Sequence, residues 1–169
     1  YSAYMSGALF SGYLTLCPDI QADLVYAVNG NTNTYGNIWQ WDIRSTSSEI
    51  ESVYAALYKV IGRCNFYLDQ VGDLRARLTD DVDIMTLDFF TGEVYCARAL
   101  AYSELVKCFC KAYEPATAEN ELGVVLKASY FNEEPVTRAS LKATYEFILA
   151  DLEKAEELLD EENDYYDAA

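Results

Sequence analysis

Both tryptophans of the chain, Trp39 and Trp41, stand in a stretch that also carries Asn31, Asn33, Tyr35, Asn37, Asp42 and Arg44. Aromatic rings can stack on the apolar face of a pyranose while amides, carboxylates and a guanidinium bind its hydroxyls, so residues 29–44 read as a candidate sugar-binding segment. A competing structural reading uses the tryptophans as anchors of a long loop, and in an extended backbone their alternate positions would turn at most one of them outward. A second group of chemistry-bearing residues, Asn65, Glu93, Arg98, Tyr102 and Asp151, lies on stretches that are otherwise apolar. Buried charges persist only when paired and hydrogen-bonded, so these five are expected to form a structural polar network and not a catalytic one.

The rest of the composition narrows the chemistry. Histidine is absent, which removes the usual general base, the commonest metal ligand and the Ser/His/Asp and Cys/His dyads. Five cysteines, Cys17, Cys64, Cys96, Cys108 and Cys110, include no C-x-x-C pair. Cys64, Cys96 and Cys108 fall at apolar positions of helical patterns and are expected to be small buried hydrophobes. Asp81 and Asp83 sit two apart but lack the glycine and the acid that complete a calcium loop, so they read as a solvated helix entrance. No G-x-G-x-x-G, P-loop or H-E-x-x-H pattern occurs, and no pair of carboxylates is singled out by an apolar neighbourhood of the kind glycoside hydrolysis needs. No catalytic residue, metal site or cofactor is therefore expected.

The formal charge of -16 repels phosphate backbones and anionic headgroups, which argues against nucleic acid as a partner. Fifteen tyrosines have apolar rings and hydroxyls that want partners, so many are expected at a surface. No apolar run reaches the roughly 20 residues that span a bilayer, and residues 1–16 lack a basic n-region and a cleavage site.

Helical periodicity organises most of the 169 residues. Met5, Leu9, Tyr13 and Leu16 predict a short helix closed by Pro18, and residues 23–48 read as a loop rich in turn formers. Thr46 with Glu49, or Ser48 with Glu51, has the capping-box spacing ahead of Val53, Leu57, Val60, Ile61, Cys64 and Leu68, a helix that Gly72 should end. A second long helix carries Met85, Phe89, Cys96, Leu100, Leu105 and Cys108. Residues 111–137 read as a connection with one short apolar patch at 123–126. Ser140 is the expected N-cap of a last helix whose inner face is Leu141, Tyr145, Ile148, Leu149, Leu152, Ala155, Leu158 and Leu159, and the acidic run 156–164 is expected to fray. The fold class predicted is all-α, with packed helical hairpins loosely like tetratricopeptide repeats and one long irregular loop.

Three segments then carry a more specific pattern. Tyr54, Leu57, Tyr58, Ile61 and Asn65 share one helix. Gly92, Glu93, Arg98, Ala99, Tyr102 and Leu105 match the arrangement G-E-A-x-x-x-R-A-x-x-Y-x-x-L apart from Val94. Arg138, Ala139 and Ser140 lead into Ile148, Asp151, Leu152, Ala155 and Leu159, the spacing I-x-x-D-L-x-x-A-x-x-x-L. In this order, over about residues 50–160, they resemble the SusD/RagB family of outer-membrane nutrient-binding lipoproteins. Departures are Cys96 and Ala97 in place of bulkier residues and Cys110 where glycine commonly follows.

That resemblance implies a single helical domain, 1–169, that is the N-terminal part of a longer protein. It further implies a cell-surface, outer-membrane glycan-binding component of a TonB-dependent uptake complex. The partners it implies are a SusC-like transporter and an oligosaccharide, with membrane attachment only through an N-terminal lipid anchor that this chain does not carry. The alternative is a tetratricopeptide-like adaptor that binds only protein; a glycosidase has no sequence feature of its own.

Overall fold

The computed structural model describes residues 2–26, 28, 30, 32, 34–133 and 136–159. They fall into two compact units, Tyr1–Lys59 and Val60–Ala169, and the described residues are mostly helical with two short strands. Asn29, Asn31 and Asn33, and positions 160–164 of the acidic run, lie outside the described residues.

The first unit does not open with the helix that the Met5-to-Leu16 spacing predicts. Residues 2–12 form successive tight turns, in which the Leu9 N–H bonds the Ser6 carbonyl at 3.0 Å and the Tyr13 N–H bonds the Gly7 carbonyl at 3.0 Å. Gly12 permits this, since a Cβ there would collide with the Gly7 carbonyl. Helix α1 (Tyr13–Gln21) starts only after them and holds Pro18 in its interior. Pro18 gives up one helical N–H, yet its own carbonyl still accepts from Ala22 at 2.9 Å, so the helix runs past it. A single turn, α2 (Gly36–Trp39), interrupts the expected loop.

Helix α3 (Ser48–Arg75) begins where the capping boxes predicted. The Ser47 carbonyl receives the Ile50 and Glu51 N–H groups, both at 3.1 Å, and the Ser48 hydroxyl donates to the adjacent Glu49 carboxylate. Val53, Leu57, Val60, Ile61 and Cys64 are its buried stripe. Gly72 does not end the helix. Three residues on, Arg75 donates two 2.8 Å bonds to Asp88 of the next helix, a bidentate pair that rewards the extra turn.

In the second unit, α4 (Asp81–Phe109) is capped by Asp80, whose carboxylate accepts from the Val82 and Asp83 N–H groups at 2.9 and 3.2 Å. This is the helix entrance read at Asp81 and Asp83, with their neighbour as the cap. A two-stranded antiparallel ribbon follows, β1 (Leu122–Val125) and β2 (Arg138–Ser140), irregular in register between Leu122 and Val125. The apolar patch expected at 123–126 is thus a strand that seats Val124 and Val125 in the core. Gly123 lets its backbone lie against Thr144 and Ser140, because a Cβ there would meet the Thr144 hydroxyl and the Ser140 carbonyl.

Helix α5 (Leu141–Leu158) starts at Ser140, whose hydroxyl accepts from the Ala143 N–H at 3.1 Å, the N-cap the sequence predicts. It runs antiparallel to α4: Gly92 lies by Leu158 and Leu159, Arg98 by Asp151, and Tyr102 by Phe147. Its inner face is Leu141, Thr144, Ile148, Asp151 and Ala155. Leu149 and Leu152, expected inside, are exposed, because the stripe is phased on the residues that meet α4 and the ribbon. Cys96 and Cys108 are likewise exposed, and of the three cysteines expected in the core only Cys64 is there.

Candidate functional site

The candidate binding segment is built around one buried side chain. Ile38, 4% exposed, anchors α2. The helical turn spaces Trp39 about 100° from Ile38, and Trp41 follows the turn with φ 58°. Trp39 is 50% and Trp41 66% exposed. A helical turn, unlike an extended backbone, does not force alternate side chains onto opposite faces, so both rings face solvent and Ile38 anchors in their place.

Tyr35 and Trp41 flank the turn in the left-handed region, with φ of 61° and 58°. For bulky side chains this backbone costs on the order of 1 kcal/mol or more each and is found preferentially where function needs the geometry. The Asp42 N–H bonds the Asn37 carbonyl at 2.9 Å, closing the segment behind the tryptophans. Tyr35 meets Tyr13 edge to face at 5.5 Å, a partner no sequence pattern announced. Arg44 Nε and Nη2 donate to the two oxygens of Asp42 at 2.9 and 3.0 Å. These hydrogen bonds from Arg44 hold the Asp42 carboxyl below its ordinary range, and the same bonds raise Arg44. Both therefore stay charged at neutral pH. Asn37, Trp39, Trp41, Asp42 and Arg44 are thus exposed within eight consecutive residues; Asn33, named with them, lies outside the described residues.

In the second unit Arg98 is 5% exposed and Asp151 2% exposed. Arg98 Nε and Nη2 each donate to Asp151 at 2.7 Å, and Nη1 donates to the Asn65 side-chain carbonyl at 2.7 Å. Burial pulls the Arg98 pKa down, but the two bonds to Asp151 and its charge outweigh that and leave it raised. The guanidinium also lies 5.1 Å from the Phe147 ring and 5.5 Å from that of Tyr95. Asn65 donates to the Lys127 carbonyl at 2.9 Å. The Tyr102 hydroxyl donates to the same carbonyl at 3.1 Å and accepts the Lys127 N–H at 2.8 Å. Burial pushes the Tyr102 hydroxyl up to about 12 and the neighbouring Cys64 thiol up to about 11, so both keep their protons.

Asn65, Arg98 and Asp151 therefore form one hydrogen-bonded centre, which Tyr102 joins through the Lys127 carbonyl that it shares with Asn65. Glu93 is half-buried and sits five residues before Arg98, roughly 140° round the helix, so it faces a different sector. The Lys127 backbone was not legible in the sequence, because a main-chain acceptor has no residue type. Among the described residues the polar side chains of this centre bond one another and the 127–128 backbone, and the adjacent Cys64 keeps its thiol proton. Among the described residues no cluster of three or more Cys, Asp or Glu side chains is placed to hold a metal ion, and no helix is long and apolar enough to cross a membrane.

Among curated proteins none matches this chain. The chain is similar to a crystal structure from Bacteroides vulgatus of a candidate sugar-binding protein, with a TM-score of 0.74 and 22% identity; the match covers 94% of this chain and 34% of that one. At that identity the likeness speaks for the fold, and the chain spans about a third of that protein's length. Residues 13–168 match the family model described as starch-binding associating with outer membrane. All three segments quoted above lie within that match, and the chain belongs to the SusD-like family.

Proposed function

We propose that this chain is part of a cell-surface glycan-binding protein of an outer-membrane uptake complex, lipid-anchored in its full-length form. In that complex it would hold an oligosaccharide for a SusC-like TonB-dependent transporter. The observation that carries the binding role is the paired exposure of Trp39 and Trp41 beside Asn37, Asp42 and Arg44. Two exposed indole rings offer stacking faces, and the Asp42–Arg44 pair offers acceptors and donors suited to vicinal hydroxyls. Membership of a binding-protein family favours capture over turnover. The charge state agrees, since a glycosidase needs one carboxyl raised towards neutrality and Asp42 is shifted the other way.

The test is binding of the full-length protein to a panel of immobilised polysaccharides, with Trp39→Ala/Trp41→Ala as the probe. Lost affinity at unchanged melting temperature is expected. Unchanged affinity with lowered stability would sink the role given to the tryptophans. A protein partner captured with no sugar bound by the intact protein would favour the adaptor reading instead.

A further inference from the structure

On the solvent side of α3, Phe66 is 48% exposed and meets two more exposed rings, Tyr130 at 56% and Phe131 at 62%. Their centroids lie 5.3 and 5.9 Å from that of Phe66 and 5.2 Å from each other. Adjacent aromatic residues in a short loop gain by turning inward, and a cluster held outward calls for a cause. The cause is one carboxylate. Asp69 Oδ2 accepts from the Ser129 hydroxyl at 2.9 Å, from the Tyr130 N–H at 2.7 Å and from the Phe131 N–H at 3.4 Å. The Ser129 oxygen in turn accepts from the Phe131 and Asn132 N–H groups at 3.2 and 3.3 Å. Desolvation opposes the charge on Asp69, but these donors prevail and hold its carboxyl below the ordinary range. Asp69 is therefore charged at neutral pH, the state in which it accepts these bonds.

Phe66 also opens a groove of about 390 Å³ along α3, whose lining includes Gln70, Asp73, Leu74 and Arg77. Gln70, Asp73 and Leu74 follow Phe66 at helical spacing along one side of α3, and Arg77 stands in the turn just after it. The Gln70 amide donates to the Phe66 carbonyl at 2.8 Å, which fixes it at the groove edge. A volume of this size accommodates one or two sugar rings.

We propose that the Phe66/Tyr130/Phe131 platform and the groove leading from Phe66 form a second carbohydrate subsite on this chain, distinct in its residues from the tryptophan segment. A pyranose would stack on Phe66 or Tyr130 and direct its hydroxyls to Gln70, Asp73 and Arg77. The rings meet edge to face, at 85° for Phe66 with Tyr130 and 84° for Tyr130 with Phe131. They offer separate small faces where a flat hydrophobic patch would offer one large one. An acid, an amide and a guanidinium along the same groove suit a ligand with a hydroxyl on nearly every carbon. The inference rests on the glycan-binding reading above.

The experiment is affinity electrophoresis of the full chain through gels containing soluble starch, xylan or yeast mannan. It compares the wild type with Phe66→Ala/Tyr130→Ala, Phe66→Trp and Trp39→Ala/Trp41→Ala. In whichever gel retards the wild type, Phe66→Ala/Tyr130→Ala is expected to weaken binding about tenfold, the effect of losing roughly one stacking contact. Phe66→Trp, which keeps a stacking face, should bind at least as tightly as wild type. Circular-dichroism melting should stay within a few degrees for both, because the replaced rings are half exposed. Unchanged retardation of Phe66→Ala/Tyr130→Ala, alongside loss in the tryptophan double variant, overturns the second subsite and leaves the glycan-binding reading standing. Phe66→Trp as weak as the alanine variant overturns stacking as the cause. If the same alanine variant abolishes self-association in sedimentation while sugar affinity holds, the face belongs to a second copy and the inference falls. A wild type retarded by none of the three polymers overturns both readings together.

Discussion

Residues 35–44 and the Arg98 centre place polar and aromatic groups in opposite ways. Around Ile38 the aromatic rings face water, and the Asp42–Arg44 ion pair is solvated, with side-chain exposures of 49% and 71%. Around Arg98 the charges are inside, at 6% and 3%, and the rings of Phe147 and Tyr95 cover them. The geometry of the two pairs is nearly the same, a bidentate guanidinium on a carboxylate. Solvent decides what each can do: the exposed pair contributes little to stability and is available to a ligand, while the buried pair is unavailable to anything but the fold.

That contrast breaks most readily at the buried pair. Arg98→Ala or Asp151→Ala leaves an uncompensated charge in the core and is expected to cost about 3–5 kcal/mol in urea unfolding. Arg98→Met/Asp151→Leu, which removes both charges, should recover much of that loss. A double variant as unstable as the singles would show that the pair itself, and not the orphaned partner, holds the helices together. Next in size, Gly123→Ala forces a methyl into the Thr144 hydroxyl and the Ser140 carbonyl; a loss of about 1–3 kcal/mol by the same assay is expected.

Tyr102 gives the buried centre a pH signature. Its hydroxyl is held up to about 12 in the folded state, against about 10 in an unfolded chain. The folded state thus binds the proton more tightly, and its stability is complete below about pH 10 and declines as pH rises towards 12. The decline is on the order of 2 kcal/mol from this group. Tyr102→Phe should be less stable at neutral pH, where it orphans the Lys127 N–H, and its stability should fall less steeply above pH 10. Equal alkaline slopes in the two proteins would remove Tyr102 from that role.

The smallest expected effect is at the exposed segment: Trp39→Ala/Trp41→Ala should change stability by less than about 0.5 kcal/mol per site while glycan affinity falls. A loss of stability comparable to that of Arg98→Ala would erase the difference between the two regions and return the tryptophans to an anchoring role. Thiol labelling checks burial independently of any ligand. Cys96 is exposed and should react in the native protein, Cys108, exposed as a residue but with its thiol raised by burial, should react more slowly, and Cys64, buried and with its thiol pushed up to about 11, should wait for unfolding.

Amphipathic spacing and capping residues by themselves determined the long helices, the cap at Ser140, the helical class and, through Arg98, Asp151 and Asn65, the members of the buried centre. Those signals are local: a helix start needs a hydroxyl or carboxylate at one position, and a charge on an apolar face demands a partner wherever it lies. Tertiary structure alone decided the exceptions. Gly72 stays helical because Arg75 finds Asp88 thirteen residues on, and Leu149 and Leu152 turn outward because α5 is phased by Asp151 and Thr144. Trp39 and Trp41 face solvent together because a single helical turn, anchored on Ile38, replaced the extended backbone. Each of these depends on a group distant in sequence or on a backbone atom without a residue type, and neither leaves a period that spacing can reveal.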